Sequence, residues 1–125
     1  MKKVINSPKA PAPIGPYSQA VKVNEMLYLS GQIALNAETG ALVDSSIQDE
    51  TDQVMKNIGY VLAEAGLDFT HIIKCSIFLK DMDNFNAVNQ VYGSYFSSDF
   101  PSRECVQVAK LPKDVNVEIT AIAAF

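Results

Sequence analysis

At 125 residues, 48% hydrophobic and 19% charged, the chain has the length of one domain and the composition of a compact soluble protein. A net charge of −4 and a sequence pI near 4.8 argue against a general nucleic-acid binder, which would show a basic face. Two widely spaced cysteines, Cys75 and Cys105, no Cys-x-x-Cys pair and a single histidine, His71, argue against a disulfide scaffold and a structural zinc site.

Lys2-Lys3 at the N-terminus is followed by Val4-Ile5 and then by polar Asn6 and Ser7, without the apolar stretch of a signal peptide. No apolar run is long enough to span a membrane, so the expected location is the cytoplasm, with both thiols reduced. Pro8, Pro11, Pro13 and Pro16 make residues 7–16 an extended loop or arm whose tip presents Tyr17. Residues 20–23 and 26–30 read as two strands joined by a tight Asn24-Glu25 hairpin, and Ser30-Gly31-Gln32 closes the second. Ser46 begins a helix in which Ile47, Val54, Ile58, Val61, Leu62 and Ala65 recur at helical spacing, and Gly66 stops it. Its polar side, with Asp49, Glu50, Asp52, Lys56 and Glu64, reads as a solvated surface.

Residues 72–80 form a strand that places Ile73, Cys75, Ile77 and Leu79 on one face. Asp83 or Asn84 caps a second helix, with Phe85, Val88, Tyr92 and Phe96 as its buried stripe and Asn89 beside it. Two further strands are expected near residues 103–109 and 115–123. The order predicts an α+β fold, two helices packed on one face of a single sheet. Both sheet faces carry apolar residues, and an uncovered apolar face commonly marks an oligomer interface.

Three residues near the C-terminus suit chemistry on a small acid. Arg103 offers a planar fork that can grip a carboxylate; read plainly, it is a surface arginine in an ion pair. Glu118, between Val117 and Ile119, points to the face opposite them; it is either a solvated strand residue or a proton carrier raised by burial. Cys105 shares Arg103's face, but no histidine is placed to activate it, so it reads as a small buried side chain. Phosphate loops and the Gly-x-Ser-x-Gly elbow are absent.

The run Pro101-Ser102-Arg103-x-Cys105-Val106, continuing through Leu111-Pro112-Lys113-Asp114-Val115 to Val117-Glu118-Ile119, resembles the signature of the RidA/YjgF family of reactive-intermediate (enamine/imine) deaminases. Residues 12–20, Ser30-Gly31-Gln32-Ile33 and Val88-Asn89-x-x-Tyr92 resemble its other motifs in order, so the likeness covers essentially the whole chain as a single domain, 1–125. The resemblance implies a chorismate-mutase-like mixed sheet in a homotrimer, with another strand between the last two and ligand clefts between subunits. It implies hydrolysis of 2-iminobutanoate, 2-iminopropanoate or the related 2-aminoacrylate to 2-keto acids and ammonia. No cofactor, metal, nucleic acid or membrane is implied. Arg103 would clamp the substrate carboxylate and Glu118 would manage water and proton. Tyr17, Ser30, Gly31, Asn89 and Cys105 would line the pocket. Glu104 departs from the small residue usual in the family, and strand alternation points it away from Arg103. A non-catalytic ligand-binding trimer is the alternative, and an RNA-cleaving role fits poorly with the acidic balance.

Overall fold

The last strand has the alternation around which the sheet is built. In the computed structural model, which describes all residues Met1–Phe125, β6 (Val117–Ala124) buries Val117, Ile119, Ala121 and Ala123 and leaves the residues between them half-exposed. Every second residue being small or β-branched lets β6 sit in the middle, antiparallel to β3 (Met26–Leu29) on one side and β4 (Ile72–Leu79) on the other. The other strands are β1 (Lys3–Ile5), β2 (Ala20–Val23) and β5 (Ser102–Gln107), and the sheet order is β1-β2-β3-β6-β4-β5. Only β4 and β5 run parallel, so the sheet is mixed, and β4 separates the two C-terminal strands. A parallel pair needs a crossover, and α2 (Phe85–Gly93) supplies it.

Helix α1 (Ile47–Glu64) starts where Ser46 Oγ accepts the Asp49 N–H at 3.0 Å, and it ends before Gly66, whose φ of 78° suits glycine. It buries Val54, Ile58, Val61 and Leu62 completely against Ile77, Leu79, Val117 and Ile119 in one core. Each such side chain is worth about 1.5–3 kcal/mol of burial. Both helices cover this face. The other face is uncovered within the chain and carries Val21, Met26, Tyr28, Phe78, Val106 and Ile122 at least partly exposed.

The structure departs from the sequence reading in five places. The short edge strand β1 was not expected: three residues beside a proline arm carry too little pattern. Ile73 does not join the core. A bulge at Ile72/Lys74 shifts the register, burying Ile72 and leaving Ile73 46% exposed. The second helix ends at Gly93, and Phe96 reaches Tyr92 from beyond it, ring to ring at 5.0 Å. Asn84 occupies the N-cap of α2 as one of the two expected positions but makes no capping bond with its side chain; Asp81 accepts the Asp83 N–H at 2.9 Å and caps the 3-10 turn that leads into the helix. Glu50 is not solvated but 1% exposed.

The bulge separates two adjacent isoleucines. Ile72→Ala is expected to cost about 2–4 kcal/mol and Ile73→Ala under about 1 kcal/mol, measured by denaturant unfolding. Equal losses would show that both side chains are core.

Candidate functional site

Arg103 lies on β5 opposite Cys75 of β4, on the helix side of the sheet. Its Nη1 donates to Asn89 Oδ1 at 2.7 Å. Its guanidinium carbon sits 5.2 Å from the Tyr92 ring centre and 5.7 Å from that of Phe85. Cation–π contacts of this kind are worth about 0.5–1 kcal/mol each. Two rings and one amide therefore aim the fork, and four of its five N–H donors remain for a ligand. A cavity of 350 Å³ opens there, lined by Asn89, Tyr92, Gly93, Phe100, Pro101 and Arg103. The Tyr92 hydroxyl is buried against the Cys75 thiol, and burial pushes it above the usual tyrosine value.

Cys105, two residues along the same face, does not line this cavity. Burial pushes its thiol above the usual value, and the Arg103 charge only partly opposes that. A thiol held protonated is a poor nucleophile. Glu104 points to the other face, where it accepts from Ser76 and pairs with Lys74 at 3.2 Å, leaving Arg103 without internal competition.

Glu118 occupies the uncovered face of β6, across from Phe78. Beside it, Gln32 exchanges both backbone hydrogen bonds with Ile119, at 2.8 and 3.1 Å, so the segment after β3 is pinned against β6. Gly31 leaves the carboxylate its place: a Cβ would stand 2.4 Å from Glu118 Oε2 and 2.9 Å from its Cδ, so the side chain would have to move. Burial alone pushes the Glu118 carboxyl above the usual glutamate value. A second cavity, of 340 Å³, is lined by Ile14, Tyr17, Ser30, Gly31, Ile33, Pro112 and Glu118.

The arm that carries Ile14 and Tyr17 is held at its base by buried Gln19. Gln19 accepts the Ser7 N–H at 2.6 Å and donates to the Ser7 and Pro11 carbonyls at 3.1 and 3.0 Å. Ser30 Oγ donates to the Ser18 carbonyl at 2.6 Å, so its proton is spent on the arm and only its lone pairs face a ligand.

The expected residues thus fall into two groups. Arg103 and Asn89 stand together, and Tyr17, Ser30, Gly31 and Glu118 stand together. Strand β4 lies between β5 and β6, and Arg103 pairs with Cys75 while Glu118 pairs with Phe78, so the two side chains are about 14 Å apart within the sheet and on opposite faces. One chain does not bring them to one small molecule. Phe85 and Tyr92 read in sequence only as a buried stripe; their seven-residue spacing around Asn89 was the available clue to a stacked cation. Of the other cavity walls, Ile14, Ile33 and Pro112 lie within the family motifs, which assign them no role, and Phe100 lies outside them. No three metal-ligating side chains converge anywhere.

The family described as Endoribonuclease L-PSP matches residues 7–125. A human protein named 2-iminobutanoate/2-iminopropanoate deaminase is 46% identical over 98% of this chain and 90% of its own length. A solved Rid-family protein from Yersinia pestis is 46% identical and superposes with a TM-score of 0.97, covering 100% of both chains. The Escherichia coli protein TdcF, solved with bound serine, is 40% identical with a TM-score of 0.94 over 98% of each chain.

Two outcomes are expected at Glu118. A methyl at position 31 should push the carboxylate off its seat into water. A carbon-13 NMR titration of Gly31→Ala should then give Glu118 a lower pKa than in the parent; an unchanged titration would show the methyl is accommodated. A glutamate raised by burial costs stability when ionised. Glu118→Gln should therefore raise the melting temperature at neutral pH. The gain should shrink as pH falls through the raised value and vanish below the unfolded value of about 4. A pH-independent difference would contradict the burial effect.

Proposed function

The chain belongs to the Endoribonuclease L-PSP family, which includes the RidA/YjgF proteins, and from that premise we propose that it hydrolyses short 2-imino acids to 2-keto acids and ammonia. The observation that carries this reading is the aimed, uncompensated Arg103 fork, together with near-full-length relatives named 2-iminobutanoate/2-iminopropanoate deaminase. The substrate carboxylate pairs with Arg103. That fixes the C=N bond near Glu118, which in its protonated form gives a proton to the imine nitrogen. Water adds to C2, and the carboxylate left behind takes the proton released from that water. The resulting C2 carries hydroxyl and amine. Glu118 then returns its proton to the amine, ammonia leaves, and the C2 hydroxyl gives its proton to the Glu118 carboxylate as the carbonyl forms, which restores the protonated acid. A carboxyl raised by burial suits both halves of this exchange.

The two half-sites meet only if a second copy supplies one of them. The uncovered apolar face, with Tyr28 44% and Val106 42% exposed, is the surface suited to that association. The arrangement is a chorismate-mutase-like fold closed into a homotrimer with three clefts, each with Arg103 and Asn89 from one copy and Glu118, Gly31, Ser30 and Tyr17 from the next. The imine hydrolyses in water unaided, so carboxylate clamping and one proton shuttle suffice, with no call for a metal or cofactor.

Serine in the Escherichia coli relative has no C=N bond and favours a second reading, a trimer that binds amino or keto acids for regulation. An RNA-cleaving role is less suited to this chain: its one histidine is bound into the Asp68 turn, accepting the Asp68 N–H at 3.1 Å.

The test couples a serine or threonine dehydratase to the protein and follows the lifetime of the imine. Arg103→Ala should lower kcat/KM roughly 100-fold, the effect of losing two charge-assisted hydrogen bonds. Undiminished acceleration would remove the clamp. Glu118→Gln that binds a keto acid normally but does not deaminate supports the enzyme; a parent chain without acceleration supports the regulatory reading.

A further inference from the structure

Glu50 is an unusual charged residue outside both half-sites. It lies in the first turn of α1, is 1% exposed, and makes no ion pair, Lys113 lining the same small cavity without reaching it. A buried carboxylate without a cation survives only if donors surround it. Three do. The backbone N–H of Asn116 donates to Oε2 at 2.8 Å and that of Val117 at 3.2 Å, while the Asn116 side-chain amide donates to Oε1 at 2.8 Å. The two backbone N–H groups can only donate and both meet Oε2, so position 50 must supply an acceptor there, while the Asn116 amide adds a third bond to Oε1.

These contacts hold the segment that precedes Glu118. Lys113 and Asp114 both adopt a left-handed φ of 55°, strained for residues with a side chain. The loop needs a restraint, and part of it comes from Lys80, whose N–H donates to the Asn116 carbonyl at 3.0 Å. Pro112, at its start, walls the Glu118 cavity, and Glu118 follows Val117 directly. Val54, Ile58, Val117 and Ile119 already press α1 onto β6 without any charge. Burying a charge there adds directional restraint more than stability, since apolar replacements of buried charges are often neutral or better.

We propose that Glu50 is a positioning residue for the reaction: by holding Asn116 and Val117 it fixes where the Glu118 carboxylate and the Pro112 wall meet the substrate. This rests on the role given to Glu118 above. The Arg103 half-site is on the other face and does not depend on it.

The test is Glu50→Met in the full-length protein, assayed on 2-iminobutanoate generated in place by threonine dehydratase, well below the melting temperature. The thioether has a similar length and leaves the two backbone N–H groups and the Asn116 amide without their acceptor, so Glu118 should wander. The expected result is a kcat lower by about tenfold, within the ~100-fold that an ångström of misplacement can cost, with KM within about twofold of the parent. A residue that only supports the fold would lower the melting temperature and leave kcat per folded chain unchanged, and that result overturns the proposal. Should Glu50→Met not fold, Asn116→Ala removes one donor and keeps the backbone pair. Its kcat should fall about two- to threefold at constant KM, and an unchanged kcat is again contrary. Glu118→Gln is run alongside. If it is as active as the parent, the reading of Glu118 falls and Glu50's role with it. If it is impaired while the Glu50 variants are not, only the Glu50 inference falls.

Discussion

A strand shows successive side chains to opposite faces, and that constraint shapes everything this sheet can do. On β6 the alternation gives Val117, Ile119, Ala121 and Ala123 to the core and turns Glu118 to the uncovered side. On β5 the same alternation gives Arg103 to the helix side and Glu104 to the other. Residues needed for one chemistry are thereby separated across a sheet. The separation has a benefit within each half. Arg103 gains the aromatic rings of α2, and Glu118 gains Gly31 and partial burial, without the two charges neutralising one another in an empty site.

Both halves are built by restraint of a single polar group. Arg103 is held by an amide and two rings. Glu118 is held by a glycine that leaves it room and a backbone bridge, Gln32 to Ile119, that closes the seat. The strained Lys113 and Asp114 show that stability is given up beside the Glu118 seat. On the proposed reading, association of copies recovers some of it by covering Tyr28, Phe78 and Ile122.

The sequence made the layered architecture legible because its long elements obey clear periods: α1 through Val54, Ile58 and Val61, and β6 through Val117, Ile119 and Ala121. The opposing directions of Arg103 and Glu104 also followed from alternation alone. Ile73 misled because a bulge adds a residue without changing composition. The strand β1 was too short to carry a pattern. Glu50 looked like its charged neighbours on α1, since nothing local distinguishes a carboxylate facing water from one facing three N–H donors sixty-six residues away in the chain. Among the site residues, Gly31 was visible as a glycine, but the carboxylate it makes room for is a long-range contact. The division into two half-sites required strand order, which puts β4 between the strands of Arg103 and Glu118.

On the proposed reading one site draws Arg103 and Glu118 from different copies, and subunit mixing tests that directly. Two inactive variants, Arg103→Ala and Glu118→Gln, are unfolded together and refolded as mixed assemblies. If each cleft spans two copies, about a quarter of the clefts in a one-to-one mixture pair an intact Arg103 with an intact Glu118, and imine hydrolysis returns in that proportion. If both residues served a site within one chain, every site would keep one defect and the mixture would stay as inactive as its components.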